Sequence, residues 1–328
     1  MRAIRVDSFG GPEVLVEVEV DAPIPGDGEW LIDVTGVGLN YADTHQAENS
    51  YLSEQTLPFV PGMEVVGEVA HGDRAGTRVC GFVSRGGAYS EYAITRPELC
   101  FEVPETVGDV AALSLLVQGL TAHHLIHSSA RLQAGETIVV NAAAGGVGSL
   151  AVQIARKAGA GNVIATASTA EKLDMARDLG ATTGVLLTGA ESAKEIASAL
   201  RAANGDRGVD VVLEMVGGAT FDGGLRALGR FGRIVCFGNA SRTPQTAISP
   251  SDLMIGSKSV MGYWLVDSMS SPETMIAPVL ADLVTAVASG ELRTLPGATY
   301  PLSQAAQAHR DIRDRKTTGK VILDPRLG

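Results

Sequence analysis

A glycine-rich segment lies near the middle of the sequence: Asn141-Ala142-Ala143-Ala144-Gly145-Gly146-Val147-Gly148. It follows a β-prone apolar run at residues 137–142 and precedes a stretch, residues 147–158, whose apolar side chains recur every three or four positions. Glycines at such a strand-to-helix junction allow a sharp turn and a close approach to a diphosphate, whose charge the N–H groups at the helix start can bind. The segment therefore predicts a dinucleotide-binding loop, with a purely structural glycine turn as the alternative.

The sequence around this segment alternates between strand and helix patterns. Predicted strands at residues 162–167, 210–216 and 233–237 are separated by predicted helices at residues 170–179 and 221–228. This rhythm is typical of a parallel, doubly wound sheet. Before residue 108 the pattern differs, because short strands lie between glycine and proline clusters and predict a barrel-like β domain.

Composition excludes several classes of protein. The chain has 328 residues, a formal net charge of −11 and three widely spaced cysteines, Cys80, Cys100 and Cys236. The length suits two domains, and the acidic charge argues against nucleic acid as a partner, since phosphate contacts need cationic surface. We find no signal-peptide pattern and no run of about 18 apolar residues, so we expect no membrane partner. Cysteines without a C-x-x-C pair fit a reduced, cytoplasmic setting.

The residues after the second predicted nucleotide-domain strand indicate which dinucleotide is bound. NAD-binding folds usually place a carboxylate there, where it binds the ribose 2′-hydroxyl. This chain instead has Ser168 and Thr169, with Lys172 just beyond. Small hydroxyls and a cation can accommodate a 2′-phosphate, so we predict NADPH. The alternative is that Ser168 or Thr169 only caps the next helix and that Lys172 is a solvated charge.

Several further segments together resemble one family. The chain resembles the zinc-independent, zeta-crystallin-like quinone oxidoreductases of the medium-chain dehydrogenase/reductase superfamily. The resemblance spans the whole chain in order and rests on these segments: Gly38-Leu39-Asn40-Tyr41-Ala42-Asp43, Pro61-Gly62-Met63-Glu64-Val65-Val66-Gly67, Gly72-Asp73-Arg74, Gly86-Gly87-Ala88-Tyr89-Ser90-Glu91-Tyr92, Gly119-Leu120-Thr121-Ala122, Phe237-Gly238-Asn239 and Thr318-Gly319-Lys320.

The resemblance implies an α/β fold with two domains and no zinc. We expect a GroES-like catalytic domain at residues 1–117, a Rossmann domain that binds NADPH at residues 118–261, and a return to the catalytic domain at residues 262–328. Zinc-dependent relatives carry Gly-His-Glu where this chain has Gly62-Met63-Glu64, and a thioether is a poor substitute for an imidazole ligand. His123 and His127 have a spacing that can chelate a metal, although on an apolar helix a structural role is the commoner one.

The resemblance also implies roles for individual residues. Asn40 is expected beside the nicotinamide, as a hydrogen-bond donor to the substrate oxygen or as a turn residue holding its own loop. Tyr51 and His45 are the other candidate catalytic residues, and each either donates a proton or only lines the site. The same two roles, proton donor or wall residue, are the alternatives for His123. The remaining predicted cofactor contacts, besides Asn40, are Thr121, Ala144, Gly145, Gly146, Val147, Ser168, Thr169, Lys172, Phe237, Gly238, Asn239 and Lys320.

The predicted activity is the reduction of a quinone or an activated α,β-unsaturated carbonyl by NADPH without a metal. Such acceptors take hydride at carbon and shift charge to oxygen, so they need alignment and hydrogen-bond donors rather than a Lewis acid. One alternative is an enoyl or polyketide-type double-bond reductase, and another is an NADPH-binding protein with little catalysis. The family is usually dimeric, and the β-prone residues 260–265 supply a candidate edge for a homodimer.

Overall fold

The computed structural model describes residues 1–244 and 246–327, and the chain forms two compact units. The first unit is Met1–Leu120 with Val266–Gly328, and the second is Thr121–Leu265. These borders lie a few residues after the predicted ones at 118 and 262. The sequence therefore leaves the β-rich unit once and returns to it once.

The chain up to residue 120 is built mainly from short strands. They are β1 (Arg2–Val6), β2 (Leu15–Glu19), β3 (Trp30–Leu39), β4 (Glu64–His71), β5 (Arg78–Phe82), β6 (Tyr92–Thr95) and β7 (Cys100–Glu102). Helix α1 (Tyr41–Ala47) follows β3, α2 (Asp109–Leu113) follows β7, and single 3-10 turns occupy Pro12–Val14 and Pro97–Leu99.

Helix α2 belongs to a longer helix, Asp109–Ser129, that includes two π-helical segments. Ser114–Gly119 is the first of these, α3 (Leu120–His124) follows, and Leu125–Ser129 is the second. By length and composition this helix is apolar enough to cross a membrane, a property that the sequence analysis did not find. Because 72% of its most apolar window is buried within the protein, it has the character of a core helix.

The next part of the chain alternates strands and helices, as predicted. Its elements are β8 (Thr137–Val140), α4 (Gly146–Lys157), β9 (Asn162–Ala167), α5 (Ala170–Asp178), β10 (Thr183–Leu186), α6 (Ala193–Ala202), β11 (Val209–Glu214), α7 (Gly218–Ala227), β12 (Leu228–Cys236), α8 (Pro250–Met254) and β13 (Ser259–Gly262). The sequence analysis missed β10 and α6. In β10 only Val185 is buried, so this strand lacks the apolar run of its neighbours.

The last part of the chain contains α9 (Leu265–Ser268), α10 (Pro272–Met275), α11 (Ala277–Ala288), β14 (Pro296–Pro301), a 3-10 turn at Leu302–Gln304, α12 (Ala305–Arg313) and β15 (Lys320–Asp324). With Ser271 as a candidate N-cap and Pro272 at the first helical position, the sequence predicts one long helix up to Gly290, with a kink at Pro278. The structure has two helices separated at Ile276, because Pro278 lies in the first turn of α11, where a missing N–H costs nothing.

All strands of the second unit that the structure describes form one parallel sheet, in the order β10-β9-β8-β11-β12-β13. This is the strand order of a dinucleotide-binding fold. In it, the second and third strands are added on one side of the first strand and the fourth to sixth on the other, so the switch point lies between the first and fourth strands. Here those strands are β8 and β11, which pair through Ile138–Val140 and Val211–Leu213. Ligands of such sheets bind at the carboxyl ends of the strands near this switch point.

The first unit contains a sheet with the order β14-β15-β3-β4-β5-β7, in which β6 also pairs with β3, and a separate β1-β2 ladder. Strand β15 comes from the end of the chain and runs antiparallel to β3, with Val321 opposite Leu39. This register places Lys320 beside Asn40, although 280 positions separate them in sequence. The apolar core behind these strands includes Ile32, Val65 and Leu323.

Candidate active site

The glycine-rich loop of the second unit has the geometry of a phosphate-binding turn. Strand β8 ends at Val140, and α4 begins at Gly146 with Gly145 as its N-cap and no side chain capping it. A Cβ atom on Gly148 would lie 2.3 Å from the carbonyl oxygen of Ala142. Ala142 itself has a left-handed φ of 50°, which is costly for a residue with a Cβ atom.

The same loop fits the diphosphate of a dinucleotide. The first N–H groups of a helix have no partner within the helix, and here no side chain supplies one. The helix dipole adds partial positive charge at this end, so a diphosphate is the chemistry that the position favours. Of the predicted contacts here, Ala144 is buried, whereas Gly145, Gly146 and Val147 are partly exposed.

The end of β9 shows how the predicted 2′-phosphate contacts are placed. The strand ends at Ala167, and no carboxylate follows it before α5. Thr169 is the N-cap of α5 and accepts the Lys172 backbone N–H at 3.3 Å. The capping role considered for Thr169 is therefore present, while Ser168 and Lys172 are partly exposed beside it.

The end of β12 lies at the same edge of the sheet. This strand ends at Cys236, so Phe237, Gly238 and Asn239 follow its carboxyl end, and Asn239 donates from Nδ2 to the Thr243 carbonyl at 3.0 Å. A small pocket here is lined by Glu214, Gly217, Gly218, Phe221, Cys236, Gly238, Asn239 and Thr246. Thr121, the other predicted cofactor contact in this unit, is buried in α3.

In the first unit, three predicted or motif residues form one buried polar cluster. The Lys320 ammonium forms a short ion pair with Oε1 of Glu64, and both side chains are completely buried. Asn40 lies between them, donating from Nδ2 to Glu64 at 2.6 Å and accepting from Lys320 at Oδ1 at 3.3 Å. The Val117 N–H, in the first π-helical segment, donates to the other Glu64 oxygen at 3.1 Å.

The cluster continues through Asp43 to residues that sequence reasoning did not select. Asp43 accepts the Asn40 backbone N–H at 2.9 Å and the Tyr89 hydroxyl at 3.0 Å. Tyr89 also shares a 2.9 Å hydrogen bond with Nε2 of His309, and the two rings meet edge to face. Burial raises the pKa of Asp43 to about 7. The only sequence signal for this part of the cluster was the Gly-Gly-Ala-Tyr segment that contributed to the family resemblance.

These contacts give two predicted site residues partners of their own. The Lys320 amine, expected to contact the cofactor, is engaged by Glu64 and Asn40. Nδ2 of Asn40 donates to Glu64 at 2.6 Å and makes a longer, 3.4 Å contact with the Gly38 carbonyl, so a substrate oxygen would have to replace that longer contact. Gln118, in contrast, has an acceptor without a partner: its buried Oε1 accepts no hydrogen bond within the described residues and can accept one from a ligand.

The remaining candidates make other contacts within their own units. His45, on α1, shares a 2.8 Å hydrogen bond with Ser50, and its ring is tilted against that of Tyr41 at a centroid distance of 5.6 Å, while Tyr51 lies in the bend that follows α1. In the second unit the rings of His123 and His127 are 4.6 Å apart. Among residues 1–244 and 246–327, no three His, Cys, Asp or Glu side chains gather as a metal site. The absence of zinc stays a prediction.

We predict that Asp43 makes the stability of the protein depend on pH. Because its pKa is about 7 in the folded chain and near 3.8 without burial, the folded state keeps a proton that the unfolded state releases. The free energy of unfolding should therefore fall as pH rises from about 4 to 7, by roughly 4 kcal/mol for this group, and level off above 7. Urea unfolding between pH 5 and pH 8 measures this dependence.

Asp43→Asn is the matched variant, since asparagine keeps the shape of the protonated acid. Burial also raises the pKa of Glu214 to about 7, so the variant should keep part of the slope and lose about half of it. Identical slopes in the two proteins would show that Asp43 does not titrate in this range.

Comparisons with known proteins agree with both units. Residues 146–281 match a family model described as zinc-binding dehydrogenase, and residues 26–105 match one described as alcohol dehydrogenase GroES-like domain. Together they confirm the predicted fold class, a GroES-like domain combined with a Rossmann-type parallel sheet.

Relatives cover almost the whole chain. The chain is 34% identical to quinone oxidoreductase of Sus scrofa, covering 98% of this chain and 97% of the relative, and 34% identical to 2-haloacrylate reductase of a Burkholderia species, covering 98% of both. A mycobacterial protein solved in complex with NADPH superposes with a TM-score of 0.91 at 36% identity, over 99% of this chain and 100% of that one. The chain is thus an oxidoreductase and belongs to the quinone oxidoreductase family of the medium-chain dehydrogenase/reductase superfamily.

Proposed function

We propose that this protein is an NADPH-dependent reductase of quinones or activated α,β-unsaturated carbonyls that works without a metal. The observation that carries the proposal is the glycine loop between β8 and α4, at the switch point of a sheet with dinucleotide-binding strand order. A mycobacterial relative described as complexed with NADPH supports the choice of cofactor. A pig relative named quinone oxidoreductase supports the class of acceptor.

Each group has a specific task in this proposal. When bound, NADPH supplies the hydride. The uncapped start of α4 binds its diphosphate, and Ser168 with Lys172 binds the 2′-phosphate. Asn40 is held by Glu64 and Lys320, and its second amide N–H exchanges the long 3.4 Å contact with the Gly38 carbonyl for the acceptor oxygen, where negative charge develops. His45 and Tyr51 are the candidate proton donors.

A second candidate is the reduction of a carbon–carbon double bond activated by a carboxyl or carbonyl group. The bacterial relative named 2-haloacrylate reductase supports it, since an acrylate is such an alkene. His45 fits this candidate, because the product of hydride addition to an alkene must be protonated and an imidazole titrates near neutral pH.

The test is steady-state oxidation of NADPH and NADH with a panel of quinones, enones and 2-haloacrylates. We expect turnover with NADPH and at least one acceptor class, unchanged by chelators. A tenfold preference for NADH would overturn the cofactor assignment, and one zinc per chain that is needed for turnover would overturn the metal-free mechanism. NADPH binding without turnover of any acceptor would favour a binding role.

Lys172 should contribute to the preference for NADPH. Removing its charge by Lys172→Ala should raise KM for NADPH by about fivefold to tenfold, the effect of one partly exposed charge pair, and leave KM for NADH unchanged. The exposed Lys194→Ala on α6 is the control. An equal change for both cofactors would place Lys172 away from the 2′-phosphate.

The homodimer also stays a proposal. Strand β13 is an edge of the six-stranded sheet, and its residues are partly or fully exposed. An unpaired edge of this kind can extend across a two-fold axis into a second copy.

A further inference from the structure

A chain of buried side chains joins the carboxyl ends of three strands in the second unit. We call Thr166, Asn141 and Glu214 the strand-end clamp. The Thr166 hydroxyl donates to Oδ1 of Asn141 at 2.8 Å, and Nδ2 of Asn141 donates to Oε2 of Glu214 at 2.6 Å. All three side chains are almost fully buried. The clamp thus connects the ends of β9, β8 and β11.

The second oxygen of Glu214 holds the next turn. Oε1 accepts the backbone N–H groups of Val216 and Gly217, at 2.6 and 2.7 Å. The turn at residues 215–217 also supports the segment after β12, because the Ala240 and Ser241 N–H groups donate to the carbonyls of Met215 and Val216. Within the described residues, three N–H groups donate to the Glu214 carboxyl group and no acceptor contacts it, so the ionised form, which prevails above its pKa of about 7, satisfies all three donors.

The clamp lies next to the start of the candidate cofactor loops. Asn141 immediately precedes Ala142, whose left-handed backbone opens the glycine loop, and Ala143 donates its N–H to the Thr166 carbonyl at 3.0 Å. Glu214 also lines the pocket that Gly238 and Asn239 border. One carboxylate therefore sets the separation between the diphosphate loop after β8 and the segment 237–239 after β12.

From this geometry we propose that Glu214 is a positioning residue for the dinucleotide: through Asn141 and the 216–217 turn it fixes the two loops that receive the cofactor. The inference rests on the proposed NADPH-dependent function, and it gives a residue outside the glycine loop a role in cofactor affinity. A strained loop keeps its binding conformation only where the surrounding structure holds it, which is the task assigned to the clamp.

The chain contains a matched control for this proposal. Asp210, on the same strand, accepts the Thr137 N–H at 2.7 Å and so ties β11 to β8 at the opposite, amino-terminal edge of the sheet. Both carboxylates link the same two strands, but only Glu214 lies at the edge where such folds bind ligands. A role limited to sheet stability predicts similar effects for the two.

The experiment measures the dissociation constant for NADPH by fluorescence titration, and the melting temperature, in Glu214→Ala and Asp210→Ala. We expect both variants to melt lower than the wild type. NADPH affinity should fall about tenfold or more in Glu214→Ala and by less than about twofold in Asp210→Ala. Equal affinity losses in the two variants, or none in Glu214→Ala, would overturn the proposal.

Glu214→Gln covers the case in which the alanine variant does not fold. Glutamine can satisfy the turn N–H groups only with its NH₂ facing Asn141, so the Asn141 amide must turn over and Thr166 must accept instead of donate. We expect a loss of affinity of about twofold to fivefold and faster amide exchange at residues 142–148. The exchange comparison needs no cofactor, so it tests the clamp even if the wild type fails to bind NADPH, a result that would instead contradict the proposed function.

Discussion

Replacing Gly148 by alanine should abolish tight binding of NADPH. The added Cβ would lie 2.3 Å from the Ala142 carbonyl oxygen and 2.8 Å from the Ala143 Cα. Both are backbone atoms, so no change of rotamer relieves the overlap, and the loop must move away from the start of α4. We expect the dissociation constant to rise at least about a hundredfold, equivalent to about 2.7 kcal/mol. Fluorescence titration with NADPH measures it.

Two other glycines calibrate this effect. Gly145→Ala brings its Cβ to 3.1 Å from the same carbonyl oxygen, so a smaller loss is expected. Gly262→Ala, on β13, meets no heavy atom within 4 Å and should bind like the wild type. If Gly148→Ala binds NADPH as tightly as Gly262→Ala does, the glycine loop is not the diphosphate site.

Replacing Lys320 by methionine should strongly destabilise the protein. The change leaves the Glu64 carboxylate completely buried without its cation. Removing one partner of a buried ion pair typically costs about 3–5 kcal/mol, because the remaining charge has lost both water and its counter-ion. We expect a decrease of this size in the free energy of unfolding, measured by urea denaturation at neutral pH.

The double variant Lys320→Met with Glu64→Gln tests the cause. Removing the stranded charge should recover a large part of the lost stability, because glutamine in place of Glu64 leaves no buried charge that has lost its counter-ion at this position. Lys316→Met is the surface control: Lys316 also pairs with carboxylates, but it is well exposed, so its loss should change the free energy of unfolding far less. A Lys320→Met protein as stable as the Lys316→Met protein would show that the buried pair adds nothing.

The sequence predicted best those features of the structure that depend only on neighbouring residues in the chain. The glycine loop and β9 were predicted closely, because turn glycines and a short buried strand leave their pattern in adjacent residues. Strand β10 and helix α6 were missed, and the break at Ile276 was predicted only as a kink. These features depend on how neighbouring elements pack, which a periodicity does not record.

The sequence by itself determined the two-domain α/β architecture, the position of the glycine loop and, through ordered motifs, the family. Only the tertiary structure decided what the polar residues do. It paired Lys320 with Glu64, directed the Asn40 amide between them and joined Asn141 to Glu214 across the switch point. A buried polar group must find its partner in space, wherever that partner lies along the chain, so sequence patterns identify such residues without showing what they contact.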